Sequence, residues 1–118
     1  MHIEDFRNYC LSKKAVEECF PFDEVTLVFK VMGKMFAVTG LEHEEFKVNL
    51  KCDPEYAMEL REEYEDVQPG WHMSKVHWNT VYFENDLSDD LLRSLIDHSY
   101  EMVVKKLKKA DREFLKNL

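Results

Sequence analysis

Glycine, proline and cysteine are scarce in this sequence, each occurring three times in 118 residues. So few glycines argue against a glycine-rich loop that cradles phosphate, and no Gly/Ser/Pro-rich stretch marks a linker between domains. No apolar run approaches roughly 18 residues, which argues against a membrane span. These absences, together with a length that suits one hydrophobic core, predict a single domain over residues 1–118.

The three cysteines, Cys10, Cys19 and Cys52, are odd in number and widely spaced. This spacing fits neither a disulfide framework nor a CxxC metal or redox motif, so we expect free thiols that are buried or half-buried. The amino-terminal segment MHIEDFRNYC lacks the basic and apolar regions of a signal peptide. We therefore expect a cytoplasmic protein that has no membrane partner.

The formal net charge of -8 argues against indiscriminate attraction to a phosphate backbone. Basic residues are nevertheless concentrated in residues 105–116, KKLKKADREFLK, where six of them stand against two acidic residues. Cations at the C-terminal end of a helix complement its dipole, so a solvated helix end is the preferred interpretation of this segment. A nucleic-acid-binding tail is the alternative.

Alternation of apolar and polar residues predicts four β-strands. TLVFKV and KMFAVT, separated by Met32-Gly33, form a predicted hairpin. HWNTVYF is a predicted strand because it is rich in aromatic and β-branched residues. FKVNLKC alternates most regularly, and the residues on its polar side are Lys47, Asn49 and Lys51.

Helical periodicity and capping residues predict three helices. The first spans about residues 2 to 13. The second starts at the Asp53-Pro54 cap and runs through Tyr64, and the third starts behind Ser88 and reaches at least Lys106. The predicted order is therefore α-β-β-β-α-β-α. Short links between the strands favour an α+β fold, a two-layer sandwich in which helices pack on one face of a mostly antiparallel sheet.

The sheet face opposite the helices is predicted to be open to water and to carry lysines. Alternation assigns to it Lys30, Lys47, Asn49 and Lys51. The last strand adds one of two sets, and the pattern alone does not choose between them: Trp78, Thr80 and Tyr82, or Asn79, Val81 and Phe83.

The segment GWHMSKVHWNT, residues 70–80, gathers two tryptophans and two histidines. His72 and His77 are five residues apart, so neither a helix nor a strand brings them to one side, and no metal site is expected. No nucleophile stands beside a recognisable base in the chain, so we expect neither catalysis nor a cofactor. Trp71 and Trp78 are interpreted as a clamp holding the start of the last strand against the helices, with an exposed aromatic recognition surface as the alternative.

Three segments resemble the MmcQ/YjbR family of small bacterial proteins: EECFPFDEVTLVFKVMGKMFAV, PGWHMSKVHWNTV and DLLRSLIDHSYEMVVKKL. Together they span most of the chain from about Val16 to Leu107. The most specific residues belong to the central segment: Gly70, His72, Lys75, His77, Trp78 and Asn79. The resemblance implies a CyaY-like, frataxin-homologue-like sandwich and a DNA-binding protein whose β-hairpins form a double wing. Iron binding is not carried over, because the first helix has only Glu4 and Asp5 as acids.

Two functions are therefore expected. The first is DNA binding through the exposed sheet face and the hairpins. The alternative is a protein-binding or small-ligand-binding module with a pocket at the GWHMSKVHWN segment. In both cases we expect a monomer without catalytic activity. The candidate binding residues are Lys30, Lys47, Asn49, Lys51, His72, Lys75, His77, Trp78 and Asn79.

Overall fold

A computed structural model describes all residues, 1–118, as four helices packed against a six-stranded sheet. The helices are α1 (Ile3–Leu11), α2 (Pro54–Glu63), α3 (Asp89–Val104) and α4 (Lys109–Lys116). The strands are β1 (Val16–Cys19), β2 (Thr26–Val31), β3 (Lys34–Gly40), β4 (Lys47–Lys51), β5 (Val67–Pro69) and β6 (Trp78–Tyr82). The predicted fold class, α+β with a mostly antiparallel sheet, is confirmed.

Every pairing in the sheet is antiparallel, and the strands lie in the order β1-β2-β3-β4-β6-β5. β2 and β3 form the predicted hairpin. Its turn residues Met32 and Gly33 have positive φ angles of 50° and 80°, which suits a two-residue hairpin turn. The order places β4 and β6 side by side inside the sheet, so the candidate residues of both strands become neighbours.

The hydrophobic core lies between the helices and one face of the sheet, here called the core face. Phe6 of α1 meets Phe29 and Phe83 edge-on, and the ring centroids are 5.3 Å apart in both pairs. Leu92 and Ile96 of α3 are fully buried in the same core. Fully burying one such side chain stabilises a fold by about 1.5–3 kcal/mol, so this interface fixes which face the helices cover.

Two of the three predicted helix starts are capped as the sequence indicates. The Asp53 carboxylate accepts the backbone N–H of Tyr56 at 3.1 Å, and Ser88 Oγ accepts that of Leu91 at 3.1 Å. α3 ends at Val104, short of the predicted Lys106, and the separate helix α4 follows it. No helix combines the length and the apolar composition needed to cross a membrane.

The structure adds two short strands that the sequence pattern did not predict. β1 has four residues and β5 has three, and they form the two edges of the sheet. Both pair with a predicted strand, β1 with β2 and β5 with β6. The additions widen the sheet without changing which face the helices cover. All three cysteines are free, Cys10 and Cys52 buried and Cys19 half-buried, as predicted.

Candidate functional site

The pairing of β4 with β6 shows which residues share the sheet face opposite the helices, here called the open face. Lys47 pairs with Tyr82, Asn49 with Thr80 and Lys51 with Trp78. Directly opposed residues of an antiparallel pair point to the same face. The open face therefore carries the first of the two predicted sets: Trp78, Thr80 and Tyr82.

Asn79 belongs to the other set and lies on the core face, where it is only 2% exposed. Its Nδ2 donates to the carbonyl of Ala57 at 3.3 Å, and its Oδ1 accepts from Arg61 Nε at 2.6 Å. Both partners lie on α2. Asn79 therefore ties the sheet to α2 and is not presented to a partner.

The lysines of the prediction do lie together on the open face. Lys30, Lys47 and Lys51 are each half-buried, and none forms an ion pair with a carboxylate within 4.0 Å. Lys30 pairs across the strands with Glu17 of β1. Two of the ammonium groups lie above indole rings: Lys47 Nζ is 4.5 Å from the Trp71 centroid, and Lys51 Nζ is 5.1 Å from that of Trp78.

Residues 70–77, here called the covering loop, connect β5 to β6 and fold over part of the open face. The backbone N–H of Trp71 donates to Thr80 Oγ1 at 2.9 Å, and Asn49 Nδ2 donates to the backbone carbonyl of Trp71 at 2.9 Å. Thr80 Oγ1 in turn donates to Asn49 Oδ1 at 2.5 Å. Asn49, a predicted binding residue, thus holds the loop on the sheet.

The far end of the covering loop is fastened to α2. Arg61 Nη2 donates to the carbonyls of Lys75 and Trp78, the latter at 3.2 Å. Lys75 Nζ donates to the Gly70 carbonyl at 2.8 Å, which closes the loop on itself. Lys75 is an exposed residue, but its ammonium is engaged by this intramolecular hydrogen bond.

The tryptophans do not clamp β6 against the helices, and that interpretation was wrong. Trp78 packs on Val28 and Val38 on the open face and is 5% exposed. Trp71 lies on the covering loop and is 47% exposed. The physical reason is strand parity: Trp78 opposes Lys51 in the register, so its side chain points away from the helices.

A cavity of about 280 Å³, here called the loop cavity, lies between the covering loop and the open face. Four of its eleven lining residues have aromatic rings: Phe22, His43, Trp71 and His72. Trp71 meets His43 edge-on with centroids 5.3 Å apart, and the His72 ring lies 4.1 Å from Trp71 at a tilt. The other residues that line the cavity include Val38, Lys47, Asn49, Met73 and Thr80.

Three of these groups give the loop cavity its binding chemistry. Phe22 is 64% exposed, so its ring has a face that a planar group can cover. Trp71 is nearly half exposed, with the Lys47 ammonium over its ring and His72 beside it. Lys47 has no carboxylate within 4.0 Å. No aspartate or glutamate lines the cavity. The arrangement can hold a flat ring and an anionic group together, in a largely apolar setting.

The two predicted histidines differ in position. His72 has a φ of 58° and is exposed at the rim of the loop cavity, whereas His77 is half-buried and accepts the Cys52 N–H through its backbone carbonyl at 2.9 Å. Nowhere do three His, Cys, Asp or Glu side chains meet in a way that could hold a metal ion.

Sequence reasoning missed Phe22 and His43, which lie in the turns before β2 and after β3. The available signal was positional: Phe22 comes just before Thr26 of β2, and His43 lies between Gly40 and Lys47. Turns at the end of a solvent-exposed sheet face often contribute residues to a binding site on that face.

Sequence comparisons match this chain to one protein family. The sequence model of the YjbR family matches residues 11–102. The uncharacterized protein YbdF of Escherichia coli O157:H7 is 36% identical over 110 residues, which cover 93% of this chain and 90% of YbdF. The uncharacterized protein YjbR of Escherichia coli K12 is 34% identical over the full length of both chains.

A solved structure has the same fold as this chain. The crystal structure of the Deinococcus radiodurans protein DR2400, with a domain designated DUF419, superposes with a TM-score of 0.89 at 38% identity. The match covers 97% of this chain and 87% of that one. The family match and the full-length relatives together identify the chain as a member of the YjbR family.

Proposed function

We propose that this protein is a binding module for a small planar ligand that carries an anionic group, and that the ligand occupies the loop cavity. The observation that carries the proposal is the convergence of Trp71, His43, His72 and Lys47 around one cavity of about 280 Å³. Sites for small molecules are typically concave and apolar, with a few polar groups that fix the orientation of the ligand.

The aromatic walls supply the binding surface. A planar ring that covers the exposed face of Phe22 removes apolar area from water, at about 25 cal/mol for each Å². Even without a ligand, the covering loop is held by hydrogen bonds that Thr80 accepts and that Asn49 and Arg61 donate. Little ordering is then required at the moment of binding, which favours affinity.

The charges around the loop cavity favour a small ligand over a polyanion. Lys47 lies inside, but Glu42, Glu44 and Glu45 flank His43 on the adjoining turn and are exposed. A phosphate backbone crossing the rim would pass close to these carboxylates, at a cost that rises as the salt concentration falls. A compact anion inside the cavity contacts Lys47 without crossing them.

The test uses Trp71 fluorescence in a Trp78→Phe background, so that the exposed indole is the only reporter. The probes are nicotinate and pyrazine-2-carboxylate, with nicotinamide and pyrazinamide as their uncharged matches, because none of the four emits in the range of tryptophan. We expect the two acids to quench Trp71 saturably, and Lys47→Met to reduce the affinity for the acids but not for the neutral matches. Lys116→Met, outside the cavity, is the matched control.

Equal binding of acids and neutral matches, or an unchanged affinity in Lys47→Met, would contradict the anionic part of the proposal. A Phe22→Ala variant examines the aromatic part separately, because Phe22 is exposed and its loss does not disturb the core. If no probe quenches Trp71 and none raises the melting temperature of the unmodified protein, the loop cavity is not a site for this class of ligand.

DNA binding through the open face is the second candidate, favoured by the shared placement of Lys30, Lys47 and Lys51. Three phosphate contacts predict that affinity falls about 40-fold when the salt concentration rises from about 50 to 200 mM. Gel-shift titrations at these two concentrations measure that ratio. Affinity that does not change with salt, or that survives the triple Lys→Gln variant at these positions, would refute the candidate.

A further inference from the structure

A second cavity, of about 340 Å³, opens at the other end of the sheet from the loop cavity. It lies where β3 begins, β4 ends and the C-terminal end of α3 passes over the sheet edge. We call it the lysine groove. Its apolar lining comes mainly from Met35, Trp78, Met102 and Leu107. Methionine side chains adapt their shape readily, which suits a surface that receives flexible apolar groups.

Three lysines surround this apolar lining: Lys34, Lys51 and Lys106. None of them is within 4.0 Å of a carboxylate, and no acidic residue lines the groove. Lys51 Nζ lies 5.1 Å above the Trp78 ring, at the edge of the apolar surface. Three cations around an apolar patch, in a protein with a net charge of -8, form a local site for an anion.

The state of Lys51 supports the same conclusion. Burial and the neighbouring charge of Lys106 lower the pKa of Lys51 from its ordinary 10.5. Its ammonium is thus less stable here than in water, because it is partly desolvated and faces a like charge. An anion placed between Lys51 and Lys106 would screen their repulsion and offset the cost of burying the Lys51 ammonium.

We propose that the lysine groove binds a free carboxylate that carries a short unbranched apolar chain, with its head between Lys51 and Lys106 and its chain over Trp78 and the two methionines. The groove, of about 340 Å³, has room for a carboxylate of about eight carbons. The charge complementarity selects an anionic head, and the apolar lining selects the chain.

The lysine groove is independent of the loop cavity. Lys47 belongs to the loop cavity and Lys51 to the groove, and their Cα atoms are about 13 Å apart, four residue steps along an extended strand. Trp78, which lines only the groove, is nearly buried between the two. The two sites can therefore be disabled one at a time.

The experiment is a calorimetric titration of the full chain with octanoate, using 1-octanol as the uncharged match. We expect octanoate to bind more tightly than 1-octanol. Removal of one ion pair at a partly exposed site weakens binding about fivefold, so Lys51→Met and Lys106→Met should each reduce octanoate affinity by that factor. Lys47→Met and Lys116→Met are matched controls and should leave octanoate affinity unchanged.

Proton uptake provides a second readout that a change in stability alone would not produce. At about pH 9.5, a fraction of Lys51 is deprotonated in the free protein, and a bound carboxylate should return its proton. The heat of binding measured in two buffers with different ionisation enthalpies should show net proton uptake. This uptake should disappear in Lys51→Met, while melting temperatures confirm that the variants are folded.

The proposal would be overturned by absence of heat with millimolar octanoate at two temperatures, by equal affinity for 1-octanol, or by loss of octanoate binding in Lys47→Met. The last would place the carboxylate in the loop cavity. Binding to vesicles of anionic lipid without binding of free octanoate would also refute it, because the groove would then contact a membrane surface instead of a free acid.

Discussion

The contact between Arg61 and Asn79 gives the sharpest quantitative prediction, because it joins α2, β6 and the covering loop through one guanidinium. Arg61→Met removes the donor to Asn79 Oδ1, which is buried and has no other donor. It also removes donors to two carbonyls, but that of Trp78 still accepts the Gly70 N–H at 2.9 Å. The dominant cost is therefore the orphaned amide oxygen, about 2 kcal/mol.

A double-mutant cycle tests this assignment by urea unfolding. Asn79→Leu in the Arg61→Met background removes the orphaned oxygen, so the double variant should recover part of the lost stability. We expect a coupling energy of about 1–2 kcal/mol. Arg93→Met is the matched control, since Arg93 bonds only to the exposed Asp90 on its own helix, and it should leave the urea midpoint unchanged.

The outcome that would refute this reasoning is additivity. If the effects of Arg61→Met and Asn79→Leu sum to that of the double variant within about 0.5 kcal/mol, the two side chains do not stabilise each other. A second readout is the Trp71 fluorescence of Arg61→Met in the Trp78→Phe background. It should shift toward that of an indole in water, because the covering loop loses its attachment to α2 at Lys75.

Three further predictions concern single residues. Gly70→Ala places a Cβ 2.7 Å from the Cβ and 2.8 Å from the carbonyl oxygen of Trp78, so it should destabilise the protein by about 1–3 kcal/mol in urea unfolding, and an unchanged midpoint would contradict this packing. Burial lowers the pKa of His98, whose Nε2 accepts the Asp53 N–H at 3.1 Å. The folded protein therefore binds fewer protons than the unfolded chain, so its free energy of unfolding should decrease as the pH falls below about 6.5. Unfolding experiments between about pH 7 and 5 should show a smaller decrease in His98→Gln. Burial raises the pKa of the Cys10 and Cys52 thiols, that of Cys52 to about 12. A thiol reagent should therefore modify only Cys19 in the folded protein, and it should modify no thiol in Cys19→Ser. Rapid reaction of more than one thiol would refute this prediction.

The long elements could be predicted from the sequence because each has its own local signal. β4 shows strict alternation from Lys47 to Lys51, and the caps at Asp53 and Ser88 fix where α2 and α3 begin. β1 and β5 have no such signal. VEEC is too short to show a period, and Pro69 at the end of VQP argues against a strand, yet both segments pair because an ordered neighbour offers free backbone groups.

The candidate site was harder to predict, since it depends on contacts between distant parts of the chain. β6 contains aromatic or β-branched residues on both of its faces, so only the pairing of Asn49 with Thr80 shows that Asn79 is buried. The loop cavity also needs Phe22 and His43, which come from turns on either side of the β2–β3 hairpin. Tertiary structure brings these turn residues into contact, and the local periodicity of the sequence does not predict such contacts.

The net charge illustrates the same distinction between local and global properties. The value of -8 describes the long-range field, but it does not describe the local charge of any one surface. The structure separates the charges by surface: α2 exposes Glu55, Glu59, Glu62 and Glu63, whereas the open-face residues of β4 include Lys47 and Lys51 and no acid. At physiological salt, a field is screened within about 8 Å, so an anion that has reached the open face responds mainly to the nearby lysines. The acidic exterior therefore slows the approach of anions, while the lysines of the open face determine which of them bind.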